Sequence, residues 1–231
     1  MTSLPDGCSD VPGMLLILND VLKGMELEFN RWYQQQHIPE RLAIAGFNAA
    51  RRYQALGAQP AYMAVYECRS IDVLQSLAYQ ECLANPTEWT KKIMPNFRST
   101  LRSACRETWS IGEGAGGTAI VVQCKPIHGR ENDARFFVKH HLGPRLMESD
   151  CLVRMALWES DEAVTGDSSP EMGLRGVRDN HVHWVLFIEN YDLAQSALAL
   201  HKQWLTGECA ENGLLIGSWA RYQLICRRAA Q

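Results

Sequence analysis

The sequence predicts an α+β protein in which two tandem βαββαβ units close into one small barrel with a pocket inside it. Two observations support this fold class: strand-like and helix-like patterns recur in the same order in both halves of the 231 residues, and a glycine-rich segment separates the halves. We therefore divide the chain into a first half, 1–112, a linker, 113–117, and a second half, 118–231.

The elements of the two halves correspond in order. Each half opens on an apolar run typical of a strand, 14–20 and 118–125, and continues into a helical segment with related text, HIPERL at 37–42 and HLGPRL at 141–146. A shift of 104 residues places His37 on His141. The further strand pairs are predicted at 46–53 and 151–158, at 62–67 and 184–189, and at 104–111 and 219–226. Asp72 and Asp192 are expected in the first turn of the second helix of each half, because a carboxylate there suits the helix dipole.

This order predicts a particular arrangement. In each half, two interleaved strand–helix–strand crossovers give a four-stranded antiparallel sheet with both helices on one face. The other, apolar face is buried when two such sheets face one another, which explains the duplication. Each half also carries an insertion, 82–98 in the first and 165–176 in the second. The second insertion is rich in Gly, Ser and Pro and predicts a surface loop that could serve as a lid.

The segment GEGAGG at 112–117 matches the spacing of a dinucleotide-binding motif. That motif requires a helix after it, so that a pyrophosphate meets the helix N-terminus. A strand pattern follows here, so we interpret the segment as a flexible linker.

Composition narrows the class of protein. At 46% hydrophobic and 21% charged residues the chain is an ordinary globular protein, and its net charge of −3 without basic clusters argues against nucleic-acid or anionic-membrane partners. No apolar stretch approaches the roughly 20 residues that span a bilayer, and no secretory signal opens the chain. The eight cysteines form no Cys-x-x-Cys pair and are expected to be reduced. The sequence therefore predicts a soluble, cytoplasmic protein.

One stretch resembles a known family. An aromatic-rich helix runs through a His-x-Pro step into a Gly-Phe strand in RWYQQQHIPERLAIAGFNAARRY, 31–53, and PAYMAVYE follows at 60–67. These segments resemble the EthD-like proteins of the dimeric α+β barrel superfamily, whose units are ferredoxin-like. The resemblance is specific over roughly 29–100, and the second half is similar only weakly, with His-Leu-Gly-Pro in place of His-Ile-Pro. It implies a small-molecule catabolic or polyketide-tailoring role and a homodimer, although duplication supplies both barrel halves within one chain.

His37 is the first candidate catalytic residue. A neutral imidazole with a pKa near 6.5 can accept or return a proton at cellular pH. Its place just before Pro39 predicts an end or bend of the helix, and the resemblance implies a histidine that faces a cleft. The alternative is a histidine that binds a backbone carbonyl and fixes the helix end. His141, its expected counterpart, is a further candidate, although divergence after duplication usually leaves one active site.

Arg52 and Tyr33 are predicted to orient the substrate. Strand alternation places Arg51 and Tyr53 on one face and Arg52 on the other, so one arginine could anchor a substrate oxygen. The alternative is a surface pair with a glutamate. Further aromatic side chains are expected either to bind an apolar substrate or to pack the core; they are Trp32, Tyr62, Tyr66 and Trp89.

No metal and no cofactor are expected. His181, His183 and Glu189 would share one face of a strand, but the carboxylate lies too far along it to complete a site. Haem stays an alternative, because the resembled superfamily includes haem enzymes.

The leading interpretation is an enzyme that performs acid/base chemistry on a small apolar or aromatic molecule inside the barrel. Isomerisation, cyclisation, lyase chemistry and cofactor-free oxidation all begin with such a proton transfer. Two alternatives belong to other classes. One is a non-catalytic binding protein for a hydrophobic metabolite or haem. The other is a structural oligomer, which a barrel packed solid with side chains would favour.

Overall fold

The computed structural model describes residues 11–166, 169–176, 178–192 and 202–231. Within these residues it contains eight strands: β1 (Gly13–Val21), β2 (Phe47–Ala55), β3 (Tyr62–Cys68), β4 (Phe97–Gly112), β5 (Thr118–Pro126), β6 (Leu152–Ser160), β7 (Trp184–Asn190) and β8 (Leu214–Ala229). Every predicted strand is present. β4 and β8 begin earlier than predicted. Polar residues follow Phe97 at the start of β4, and β8 starts on a continuous apolar run, Leu214–Ile216, so neither start shows the apolar alternation.

The helices lie between these strands. The first half has α1 (Glu26–Trp32), α2 (Ile38–Leu42), α3 (Leu77–Ala84) and α4 (Glu88–Ile93); the second has α5 (Glu131–Phe137), α6 (Gly143–Met147), α7 (Glu162–Thr165), α8 (Pro170–Gly173) and α9 (Lys202–Glu211). A 3₁₀ turn at Ile71–Gln75 contains Asp72, and Ser76 then caps α3 by accepting the Tyr79 amide. The helix predicted after Asp192 falls outside the described residues.

The strands form a closed antiparallel barrel in the order β1-β3-β2-β8-β5-β7-β6-β4. Each half contributes a sheet with its fourth strand beside its first and its second strand at the far edge. The two sheets join where β2 pairs with β8 and where β4 pairs with β6. This topology confirms the two interlocked βαββαβ units expected from the sequence.

Side chains fill the inside of the barrel. Trp158 stacks on Phe187 with ring centroids 4.3 Å apart, and Tyr53 meets Phe187 edge-on at 6.1 Å. Methionine, leucine and valine side chains from both sheets complete this buried cluster. The interior of an eight-stranded barrel is just wide enough for side chains. Strand alternation thus fills the middle of the barrel with large aromatic residues. The pocket expected inside the barrel is found only at one end, where the inward-facing Arg51 and Glu189 help to line an open cavity of about 460 Å³.

The two halves superpose with a shift of 105 residues, not 104. β1 and β5, α1 and α5, and α2 and α6 all begin 105 positions apart. The structural counterpart of His37 is therefore Leu142, and His141 is exposed. The predicted match of His37 with His141 is wrong by one residue, which on a helix turns a side chain by about 100°.

The His-x-Pro step does not end the helix. Tyr33–His37 forms a π-helical turn between α1 and α2, and the Ile38 amide donates to the Tyr33 carbonyl. Ile38 keeps helical dihedrals, φ −63° and ψ −50°, directly before Pro39. Of the end or bend predicted here, the end is therefore wrong. The regular helix is interrupted by a wide π turn that accommodates the missing proline N–H, and the helix continues. Turns of this kind occur frequently at functional sites.

Candidate active site

A small closed cavity lies on the helix-covered face of the first sheet. Its volume is about 30 Å³, room for one or two water molecules, whereas ligand pockets measure roughly 300–1,000 Å³. The α1–α2 helix, α3, β1, β3 and β4 line it, and α8 from the second-half insertion covers it. The lining residues combine apolar and aromatic side chains with charged ones: Leu15, Ile17, Tyr33, His37, Arg41, Tyr66, Tyr79, Leu83, Met94, Phe97, Thr100, Arg102, Glu171, Met172 and Arg175.

His37 occupies the last position of the π turn and is 5% exposed. Its ring stacks on Trp32 at 4.2 Å and meets Tyr33 edge-on at 5.2 Å. Trp32 is itself fixed, because its Nε1 donates to Thr90 Oγ1 at 3.2 Å. Among the described residues the buried Nδ1 of His37 has no hydrogen-bond partner, and no hydrogen bond joins His37 to a backbone carbonyl. The geometry thus differs from that of a histidine that fixes a helix end.

Electrostatics keep His37 neutral. Burial lowers its pKa well below the ordinary 6.5, and the guanidinium groups of Arg41, Arg52 and Arg175 lower it further. Around neutral pH the imidazole is therefore unprotonated and has a lone pair available to accept a proton.

Two buried tyrosines lie beside His37, and the hydroxyl of one of them lacks a partner. The Tyr66 hydroxyl has no hydrogen-bond partner among the described residues, and its ring lies 6.2 Å from that of His37. Burial raises the pKa of Tyr66 well above its usual value. Tyr33 lines the same cavity, and burial raises its pKa to about 12. Both tyrosines therefore stay protonated and can donate a hydrogen bond.

Arg52 lies on the helix side of β2, on the face opposite Arg51, as the alternation requires. Its guanidinium lies 4.1 Å from the centre of the Tyr33 ring and 5.1 Å from that of Phe29. Its Nη2 has no partner among the described residues, and burial lowers its pKa. Arg51 points the other way and pairs with Glu67 and Glu189, both at 2.7 Å. The predicted pairing with glutamate is thus found for Arg51.

Sequence reasoning missed several charged residues of the cavity. Arg41 forms a buried ion pair with Glu171, which raises its pKa against the effect of burial. Arg102 donates from Nη2 to the Tyr79 hydroxyl at 3.2 Å, and Arg175 pairs with Asp179. Arg41 stood within the repeated HIPERL text, but the lid residues belong to the other half, and only the tertiary structure brings them here.

The other candidates lie outside the lining. Tyr62 packs on Phe29 at 4.9 Å. Trp89 is half-buried and donates to Glu28 Oε1 at 3.0 Å. His141 lies on the surface of the second half, 5.7 Å from the Phe136 ring. The structure therefore brings together Tyr33, His37 and Tyr66, with Trp32 and Arg52 directly behind them, and places Trp89 and His141 elsewhere.

The second half lacks this polar cluster. Strand register and the 105-residue shift align five residues of the first half with apolar ones: Tyr33 with Val138, His37 with Leu142, Arg41 with Leu146, Arg52 with Leu157 and Tyr66 with Ile188. All five apolar counterparts are buried in one hydrophobic cluster. The fold therefore does not need polar groups at these positions.

The metal and haem interpretations can be tested on the same geometry. His181 and His183 precede β7 rather than lying on it, and His181 Nδ1 lies 2.8 Å from the Arg102 carbonyl oxygen. Within the described residues, no group of three or more His, Cys, Asp or Glu side chains could hold a metal ion. A porphyrin does not fit the closed 30 Å³ cavity beside His37.

In the part of the chain that the structure describes, no helix is long and apolar enough to cross a membrane.

The chain is similar to known proteins in its structure and not in its sequence. No family model and no curated protein matches the sequence. An anthrone oxidase-like protein superposes with a TM-score of 0.66 at 11% identity, over 96% of this chain and 94% of that one. A protein described as a putative monooxygenase from Fusobacterium nucleatum gives 0.54 at 11%, over 96% and 93%. A protein described as a putative chlorite dismutase gives 0.53 at 10%, over 94% and 95%.

Identities this low show the fold alone. They agree with the barrel topology and with the superfamily indicated by the His-x-Pro segment, while the EthD-like assignment itself stays a prediction. The chain has the ferredoxin-like dimeric α+β barrel fold, with both halves of the barrel in one polypeptide.

Proposed function

We propose that the chain is a small-molecule enzyme whose active site is the helix-side cavity of the first half, where His37 acts as general base on a phenolic or enolisable substrate. One observation carries the proposal. Buried polar groups without partners converge in the first half, while the same positions in the second half are apolar and well packed.

The cost of this arrangement supports a functional role. Each buried donor or acceptor left without a partner costs about 1–3 kcal/mol. Three such atoms belong to this part of the first half: His37 Nδ1, the Tyr66 hydroxyl and Arg52 Nη2. The His37 and Tyr66 rings lie 6.2 Å apart, and the Arg52 guanidinium lies behind them, against the Tyr33 ring. Partnerless buried groups and perturbed pKa values cluster at active sites. A ligand whose oxygen atoms meet these groups would remove the cost.

The chemistry follows from the charges. The neutral His37 imidazole accepts a proton from an acidic O–H or C–H of the substrate, which leaves a phenolate or enolate. The cavity guanidinium groups stabilise that anion, and the protonated tyrosines donate hydrogen bonds to its oxygen. Return of the proton at another carbon gives isomerisation, attack of the carbanion on a carbonyl gives cyclisation, and electron transfer to dioxygen gives oxidation. Solved structures described as anthrone oxidase-like and monooxygenase proteins support the oxidative branch.

Substrate turnover tests the proposal. Wild type, His37→Leu and the surface control His141→Leu would be incubated with anthrones, phenols, enones and lactones, with and without dioxygen, and the products analysed by mass spectrometry. We expect conversion by wild type and His141→Leu, and a loss of at least 100-fold in His37→Leu, since general bases contribute about 10²–10⁴-fold. Equal turnover by His37→Leu would remove His37 from the mechanism.

The structural alternative predicts a barrel packed solid with side chains. The cavities at one end of the barrel and between the first sheet and its helices argue against it. A homodimer and a cytoplasmic location remain predictions from the sequence.

A further inference from the structure

The lid over the cavity is an addition to the repeat. In the first half, β2 and β3 are joined by the short segment 56–61, whereas β6 and β7 of the second half are joined by 161–183, which contains α7 and α8. Helix α8 is capped by Ser169, whose Oγ accepts the Met172 amide at 3.1 Å. It places Glu171 and Met172 into the cavity of the opposite half.

Glu171 supplies the only carboxylate among the described lining residues. Its counterion is Arg41, and both side chains are buried. Arg175 is neutralised by Asp179, and Arg102 is bound by neutral groups, the Tyr79 hydroxyl and the Thr165 carbonyl. Displacing Glu171 would leave the Arg41 and Arg102 guanidinium groups facing the cavity with no carboxylate between them.

Any substrate must displace this lid, because the closed cavity of about 30 Å³ holds only one or two water molecules. A neutral substrate that moved Glu171 would leave Arg41 buried and unpaired, and an unpaired buried charge is strongly destabilising. A substrate carboxylate would restore the pair, since guanidinium and carboxylate match in geometry.

We infer, on the basis of the proposed function, that the substrate is a phenolic or enolic carboxylic acid, and that Glu171 occupies the place of its carboxylate in the closed state. Glu171 is then an autoinhibitory plug: it withdraws from Arg41 as the substrate acid group takes its position. His37 is left to act on the hydroxyl or C–H at the other end of the molecule.

A pair of isosteric probes tests this inference by isothermal titration calorimetry. The first probe is 2-hydroxybenzoate and the second is the neutral 2-hydroxybenzamide. For wild type we expect the acid to bind at least tenfold more tightly than the amide. In Glu171→Gln, where a neutral plug competes less well for Arg41, we expect the acid to gain a further tenfold and the amide to change less than twofold.

Two control variants locate the effect. Glu208→Gln removes the carboxylate of a more exposed arginine–glutamate pair, with Arg145 in the second half, and should leave both affinities as in wild type. The double variant Arg41→Gln with Glu171→Gln removes the cation together with its plug and should abolish the preference for the acid. If Glu171→Gln does not fold, the ratio of the acid and amide affinities for wild type still tests whether the site prefers a carboxylate.

The outcomes separate the two proposals. Equal binding of acid and amide to wild type and Glu171→Gln would overturn the plug while leaving a cavity that accepts neutral phenols. A preference for the acid that survives in the double variant would also overturn it, because the carboxylate would then bind elsewhere. Failure of both probes to bind any variant, together with no turnover in the substrate panel, would refute the proposed function as well.

Discussion

Exchanging His37 and Leu142 between the two halves distinguishes a functional from a structural histidine. In His37→Leu the partnerless Nδ1 disappears, which relieves about 1–3 kcal/mol, and the stack on Trp32 is lost, which costs about 0.5–1.5 kcal/mol. The variant should therefore change the free energy of unfolding by between about −0.5 and +2.5 kcal/mol, a range that lies mostly on the stabilising side. Since 1 kcal/mol shifts the Tm of a chain this long by about 2–4 °C, the gain reaches up to about 10 °C.

The reciprocal variant, Leu142→His, should lower the free energy of unfolding. Leu142→His places an imidazole in a cluster of wholly apolar side chains, which should cost about 1–3 kcal/mol for the unpaired polar group alone. Urea unfolding at pH 7.5 and calorimetry measure both effects. A loss of more than about 2 kcal/mol in His37→Leu would refute the reasoning, since it would mean that the imidazole holds the fold together. Equal losses of unfolding free energy in His37→Leu and Leu142→His would also refute it.

Three other predictions follow from the same contacts. Because the pKa of His37 lies well below 6.5 in the folded state, the unfolded chain binds the proton at a higher pH than the folded chain does. The free energy of unfolding should therefore be at its full value above pH 6.5 and fall below that pH by up to about 1.4 kcal/mol per pH unit. Urea unfolding across pH 5–7.5 measures this slope, which we expect to be smaller in His37→Leu. Tyr66→Phe removes a partnerless hydroxyl and should keep or raise the Tm while weakening the binding of phenolic probes at least fivefold. Glu189→Ala leaves the buried Arg51 with one ion-pair partner fewer and should lower the free energy of unfolding, measured with urea, by about 3–5 kcal/mol. Glu67 is the more exposed repeat counterpart of Glu189, and Glu67→Ala should cost less than half of that. Equal losses would contradict the conclusion that Glu189 is the stronger partner of Arg51.

Most of the fold could be predicted from local pattern. Apolar alternation located all eight strands, and their repeated order gave the two sheets and the barrel, because each sheet must bury its bare face. The starts of β4 and β8 were missed because neither alternates, the first being polar and the second continuously apolar. Of the end or bend predicted at Pro39, the helix shows no end but an irregular π turn, because that wide turn removes the clash that the rule for residues before proline assumes.

The candidate site was only partly predictable. His37, Tyr33, Tyr66 and Arg52 were proposed from residue chemistry, and the structure gathers them on one face of the first sheet. His141 was proposed from a one-residue error in register. A match of three identities in the helical text could not fix that register, whereas nine-residue strands paired along their whole length do.

The sequence by itself determined the repeat, the strand order and the placing of Arg51 and Arg52 on opposite faces of β2, since these depend on residues near one another in the chain. Only the tertiary structure decided which face of β2 looks into the barrel and that side chains pack the middle of the barrel. It also decided that the cavity lies under the helices of the first half and that Glu171 of the second half closes it on Arg41. The physical reason is distance along the chain. The packing of both sheets together determines how much space is left inside the barrel. It also determines which residues 130 positions apart come into contact, and no local sequence pattern predicts either.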